Sequence, residues 1–157
     1  VPLQPLTDDS VYHEAFEAVV PPLVTAFQPD ALVIQLGIDS HRTDPLTHLS
    51  LTVQGFDRAV RRLLPLAPRV VALGGGGYDL ANVARAWTAA WAAMNDVALP
   101  DALPPESHPD MQRLGLAHMT LSDPAETVPS ETHRWTEDYA RRQVGEIHER
   151  IFPRHGL

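Results

Sequence analysis

The chain has 157 residues, enough for one domain with a core of its own. Its composition, 44% hydrophobic and 20% charged, is that of a globular protein, and its net charge of −8 argues against a general nucleic-acid binder. There is no cysteine, which excludes disulfides and thiolate chemistry and fits a cytoplasmic protein, and no lysine, which excludes Schiff bases and a P-loop.

No apolar run approaches the ~20 residues of a membrane-spanning helix, and the N-terminus lacks the basic patch and apolar core of a signal peptide. The chain starts at Val1 and runs into "VPLQPL", which reads as the exit of an element that begins upstream. Residues 8–10, "DDS", supply a helix N-cap cluster, and Phe16, Val19, Val20, Leu23, Val24 and Phe27 then recur at helical spacing. Pro21 and Pro22 fall inside that pattern and predict a kink or two shorter helices.

"ALVIQLG", 31–37, is an almost continuous apolar run, suited to a parallel strand buried on both faces. A polar loop follows. Thr52 can then cap a helix over 53–64 with Val53, Phe56, Val60, Leu63 and Leu64 inward. "RVVALG", 69–74, is a second strand. After Gly74 to Gly77 the spacing predicts a helix over 79–94 with Leu80, Val83, Ala84, Trp87, Trp91 and Met94 inward. Residues 95–130 are proline-rich and read as an extended, surface-hugging connection. Ser130 could cap a last helix over 131–151, with Trp135, Tyr139, Val144, Ile147 and Ile151 as its seam.

Strand, helix and strand over 31–74 make a βαβ unit, so the two strands should be parallel. Such sheets bind ligands at the carboxyl ends of their strands. Both polar loops leave those ends, which puts Asp39, His41, Asp44 and Tyr78 on one rim. Asp39 could ligate a metal, act as a base or cap the next turn, and residue type alone favours the cap. Asp44 precedes Pro45, a turn signal. His41 and His48 have no reliable metal-ligand spacing. The glycines could form an anion nest before a helix, or admit a close-lying loop or substrate, with Tyr78 able to donate to an oxyanion. They could equally be a tight turn with Tyr78 as packing.

"FQPDALVIQLGIDSHRTDPLTHLSLT" followed by "LGGGGYDLANVARAW" resembles the zinc-dependent histone deacetylase family, and "DSHRTDPLTHL" is most similar to its bacterial branch, the acetoin utilization deacetylases. The resemblance covers most of the chain. It implies an α/β class protein: the C-terminal part of a three-layer α/β/α arginase/deacetylase-like fold around a parallel sheet, with residues 1–157 as one portion of a single domain. It implies that Asp39 is one zinc ligand, that Tyr78 stabilises the oxyanion, that Gly75, Gly76 and Gly77 form a wall beside the acyl group, and that Leu46 lines the rim of an acyl-lysine tunnel. The reaction implied is metal-assisted hydrolysis of acetyl-lysine or a related N-acyl amide.

The family's other two ligands come from an Asp-x-His motif and its base from a His-His pair; the sequence has no Asp-x-His in a suitable context and no His-His pair. The chain therefore reads as roughly the C-terminal two-fifths of a deacetylase. Three hypotheses follow: the catalytic portion of a zinc deacylase acting with a missing N-terminal part, an inactive fragment that associates with another chain, or an anion- or nucleotide-binding module.

Overall fold

The computed structural model describes residues 1–125 and 127–157. Seven principal elements follow in chain order: α1 (Asp9–Phe27), β1 (Leu32–Leu36), α2 (Val53–Leu63), β2 (Val70–Gly74), α3 (Leu80–Met94), α4 (His108–Arg113) and α5 (Ser130–Arg150). Single 3-10 turns cover Leu64–Leu66, Pro105–Ser107 and Phe152–His155.

β1 and β2 pair in parallel, with Leu32 opposite Val70 and Leu36 opposite Gly74. The βαβ unit expected from the two apolar runs is therefore present. α2 packs on α3, and the core joins Ile34, Leu36 and Ile38 to Val53, Phe56 and Val60 of α2 and to Ala86, Ala89, Ala90 and Ala93 of α3. A second cluster, Val11, Ala15 and Ala140 with Leu3 and Val144, seals α1 against α5.

Several local expectations are realised in detail. Asp8 is the N-cap of α1, its carboxylate accepting from the Val11 amide at 3.0 Å. Thr52 caps α2 through the Gly55 amide at 3.0 Å. Asp9 reaches across to α2 and accepts from both the amide and the hydroxyl of Thr52, at 2.9 and 2.5 Å.

Others are corrected. Pro21 and Pro22 do not break α1, which runs as one helix. Pro22 cannot donate to the Ala18 carbonyl four residues back. That carbonyl accepts instead from His148 Nε2 of α5 at 2.9 Å, so the lost bond is replaced by a tertiary one. Ser130 does not cap α5; it is the first helical residue, behind Pro129. The buried face of α5 is Thr136 and Ala140, and Trp135 is exposed.

The largest correction concerns α3. Its buried face is Ala81, Asn82, Arg85, Ala86, Ala89, Ala90, Ala92 and Ala93, while Leu80, Trp87, Trp91 and Met94 are exposed. Helical periodicity weighted by side-chain size chose the tryptophan stripe. The alanine face is the one that lets two helix backbones come close. Trp87 is not idle: its indole N–H donates at 2.7 Å to the carbonyl of Leu36, the last residue of β1. The sheet is likewise buried on one face only. Val33, Val71 and Leu73 on the opposite face are 62%, 50% and 52% exposed. No described helix is long and apolar enough to cross a membrane.

Candidate functional site

The segments leaving β1 and β2 are laced together at the carboxyl edge of the sheet. The Ile38 amide donates to the Gly76 carbonyl at 2.8 Å, extending the strand pairing by one step. Just before it, at Gly37 and Gly75, the two backbones nearly touch. A Cβ on Gly75 would lie 2.6 Å from the Gly37 nitrogen, nearer than any real side chain approaches. A Cβ on Gly76 would collide with the Asp39 carboxylate. Gly77 has φ +145°, a region closed to ordinary L-residues, and a Cβ there would lie 2.7 Å from Ile38 Cγ2 and from Val83 Cγ2. Each of the three glycines thus has its own steric reason.

Asp39 sits in the turn after Ile38. Its main-chain carbonyl accepts from the Thr47 hydroxyl. Among the described residues its carboxylate accepts no hydrogen bond and rests beside Gly37 and Gly76. Asp39 therefore does not cap its own turn. Asp44 does: its Oδ1 accepts from the Leu46 amide at 2.9 Å, and its Oδ2 accepts from the Tyr78 amide at 2.8 Å. Tyr78 follows Gly77 and is 54% exposed, and Leu46 is exposed on the other loop. The Tyr78 amide that an anion nest would use is occupied by Asp44, and Asp79 opens α3 with a second carboxylate. This rim suits a cation or a neutral carbonyl better than a phosphate.

His41 turns inward. It is 1% exposed, and its Nε2 donates to Asp123 Oδ2 at 3.0 Å. Its Nδ1 accepts from Asn82 Nδ2 at 2.8 Å, which fixes the tautomer. Asn82 also donates to the Thr43 hydroxyl at 2.6 Å, and Thr43 donates to Asp79 at 2.6 Å. Asp123 closes the network. Its Oδ1 receives Arg85 at 2.8 Å and its Oδ2 receives the Val53 amide at 2.7 Å. Arg85 also donates to the Leu121 carbonyl at 3.1 Å. Burial alone would raise the Asp123 carboxyl, but His41, the Val53 amide and Arg85 outweigh it and hold it well below the usual carboxylate range.

Sequence reasoning passed over Asn82, Arg85 and Asp123. The first two carried a signal: polar residues at i and i+3 within an alanine-rich helical face. Asp123 carried little, because it lies in the proline-rich connection and its partners are 38 to 82 residues away. The network lies beside a cavity of about 200 Å³ bounded by Asp79, Asn82, Arg85, His118 and Asp123. A larger cleft of about 610 Å³, at the starts of α1 and α5, contains neither Asp39 nor Tyr78. Size alone does not point to the rim.

The zinc fit can be judged from these contacts. The Asp39 carboxylate, with no hydrogen-bond donor among the described residues, suits one oxygen ligand. Among the described residues, no group of three or more His, Asp or Glu is placed to hold a metal ion.

Comparison with known proteins addresses the same motifs. The histone deacetylase domain matches residues 1–94. Acetoin utilization protein AcuC of Bacillus subtilis (strain 168) is 34% identical over 137 residues, covering 82% of this chain and 35% of that protein. Histone deacetylase 8 of Xenopus tropicalis is 40% identical over 88 residues, 56% of this chain and 24% of that protein. Histone deacetylase 1 of Homo sapiens is 38% identical over 103 residues, 66% of this chain and 21% of that protein. The chain thus spans about a third or less of the length of these relatives. Since the matched domain takes in more than half of the chain, including both rim loops and the parallel βαβ unit, the chain belongs to the histone deacetylase family and shares its arginase/deacetylase-like α/β fold.

Proposed function

We propose that these 157 residues contribute one side of the active site of a zinc-dependent deacetylase acting on acetyl-lysine in a protein or on a small acetylated amide. The observation that carries the reading is the rim itself. Asp39, a carboxylate without a hydrogen-bond donor among the described residues, and Tyr78, an exposed phenol, leave adjacent strand ends on backbones laced together at Ile38 and Gly76. Family membership supports it, as does the similarity to relatives named for deacetylation and acetoin utilization.

Asp39 would be one ligand, with the remaining donors supplied by another part of the protein or by a second chain. Zinc held there would supply Lewis-acid polarisation of the acyl carbonyl and a more acidic water. Tyr78 donates its phenolic proton in a hydrogen bond to the oxygen that gains charge as the carbonyl carbon is attacked. Gly75 to Gly77 keep side chains out of the path to that oxygen, and Leu46 offers an apolar edge to the methylenes of the acylated side chain.

The test uses the protein expressed in full from its gene, with an acetyl-lysine peptide as substrate. Tyr78→Phe should lower turnover on the order of 10²–10³-fold and leave bound zinc unchanged. Asp39→Asn should lose zinc as well as turnover. Unchanged turnover in Tyr78→Phe would refute the role given to the phenol.

A second reading has its own observation. The exposed Val33, Val71 and Leu73 form an apolar sheet face of the kind that marks an interface. In this reading the 157 residues are catalytically silent alone and associate with another chain. Stoichiometric zinc binding with acetyl-lysine hydrolysis by the isolated residues would rule it out, whereas self-association without zinc uptake would favour it.

A further inference from the structure

Asp44 looks at first like an ordinary turn residue before a proline. The structure gives it a second task. The residue is buried, 7% exposed, and each carboxylate oxygen holds a different loop. Oδ1 takes the Leu46 amide two residues on, and Oδ2 takes the Tyr78 amide 34 residues on. The segment before Tyr78 is the most permissive stretch of backbone in the chain, four consecutive glycines ending in Gly77 at φ +145°. The phenolic hydroxyl makes no hydrogen bond among the described residues, so nothing at the far end of the side chain fixes its place. What fixes it is the main chain: the Gly76 carbonyl on one side, taken by Ile38, and the Tyr78 amide on the other, taken by Asp44. A hydrogen bond to a carboxylate is shorter and stronger than a neutral one, and a buried one is not competed away by water.

We propose that Asp44 is the positioning residue of this site, its carboxylate setting where the Tyr78 phenol and the Leu46 rim stand relative to one another. It touches no reacting atom. It converts two loops, one of them glycine-rich, into one body. The inference rests on the oxyanion role proposed for Tyr78. That role is worth most when the donor is in place before reaction, and small misplacements of catalytic groups are costly.

Asp44→Asn separates this role from turn formation. An amide side chain keeps the shape but has one accepting oxygen, so one of the two main-chain N–H groups loses its acceptor. Asp44→Ser is the companion variant: its short hydroxyl can still accept from Leu46 but cannot reach Tyr78. The measurements are steady-state kinetics of the full-length, zinc-loaded protein on an acetyl-lysine peptide, zinc content, and hydrogen exchange of the Tyr78 amide. Both variants should lower kcat roughly 10- to 100-fold with KM and zinc nearly unchanged. The Tyr78 amide should exchange faster. Combined with Tyr78→Phe, neither should lower turnover further than Tyr78→Phe alone, because the group they position is already gone.

Full kcat in both variants, with Tyr78→Phe impaired, overturns the proposal and leaves the function intact. A double variant slower than Tyr78→Phe by the full factor of the Asp44 substitution also overturns it, since Asp44 would then act elsewhere. Wild-type turnover in Tyr78→Phe removes the reading on which the inference stands. If Asp44→Asn does not fold, Asp44→Ser decides by the same criteria.

Discussion

Single glycines in this chain differ in what a methyl group would meet. At Gly75 it would meet the Gly37 backbone, which cannot move without parting the strand ends. Gly75→Ala should therefore cost roughly 1–3 kcal/mol of stability and displace the loop that carries Tyr78. At Gly145, inside α5, no described residue would lie within 4 Å of an added Cβ. Gly145→Ala should stabilise by about 0.5–1 kcal/mol, since a helical glycine gives up more backbone entropy than alanine. Urea unfolding of the two variants beside wild type checks both signs. Equal effects would mean that the close approach of Gly75 to Gly37 carries no energy. The four glycines were legible as a place where side chains are unwelcome. What they exclude was not legible: the neighbour is another stretch of main chain, and a sequence does not show which backbone passes 2.6 Å away.

At the scale of elements, the buried network ties α2, α3 and both rim loops to the proline-rich connection. Asp123 and Arg85 are each 2% exposed in their side chains. Removing one partner of such a pair leaves the other charged, buried and unmatched, which typically costs about 3–5 kcal/mol. Asp123→Ala should show a loss of that size in chemical denaturation, although residue 123 lies far along the chain from the motifs. A loss below about 1 kcal/mol would show that the network is loosely packed or wet. The elements themselves were largely readable. Both strands, α2 and α3 fall within a residue or so of where apolar runs and caps put them. The face of α3 was not readable, because bulk hydrophobicity favours Trp87 and Trp91 while close helix packing favours alanine. The site was half readable. Asp39, Asp44 and Tyr78 fall on one rim because strand order puts them there. Asp123 joins only through tertiary contact.

For the whole molecule, the titrating groups predict how stability depends on pH. His13 of α1 donates through Nε2 to the Gly55 carbonyl at 2.9 Å, and its buried Nδ1 has no partner among the described residues. Burial lowers its pKa from 6.5. The unfolded chain then binds the proton first, so stability is full above about 6.5 and falls as pH drops through the folded value. Asp8 and Asp123 are both held below 3.8, so they add a second loss, from about that pH downward. His133 has the opposite sign. Its hydrogen bond to Asp8 raises it above 6.5, so its contribution is lost as pH rises through the folded value. That contribution is small, because the His133 side chain is 38% exposed. Thermal melts from about pH 7 to about pH 5 should show falling stability in wild type and a flatter profile in His13→Gln, whose amide can still donate to Gly55. Parallel profiles would assign the acid loss to other groups.

The position of Asp123 also bears on time. The carboxylate that joins His41 to Arg85 lies 82 residues after the histidine and 38 after the arginine. A growing chain presents His41 and Arg85 well before it presents the residue that joins them. Until then His41 and Arg85 have no carboxylate between them, although Asp44 can already join the two rim loops. Closing so long a loop is slow compared with forming the βαβ unit. During synthesis, both strands, α2 and α3 should therefore be in place while the buried network behind the rim is still open, and the arrival of Asp123 should be the step that closes it.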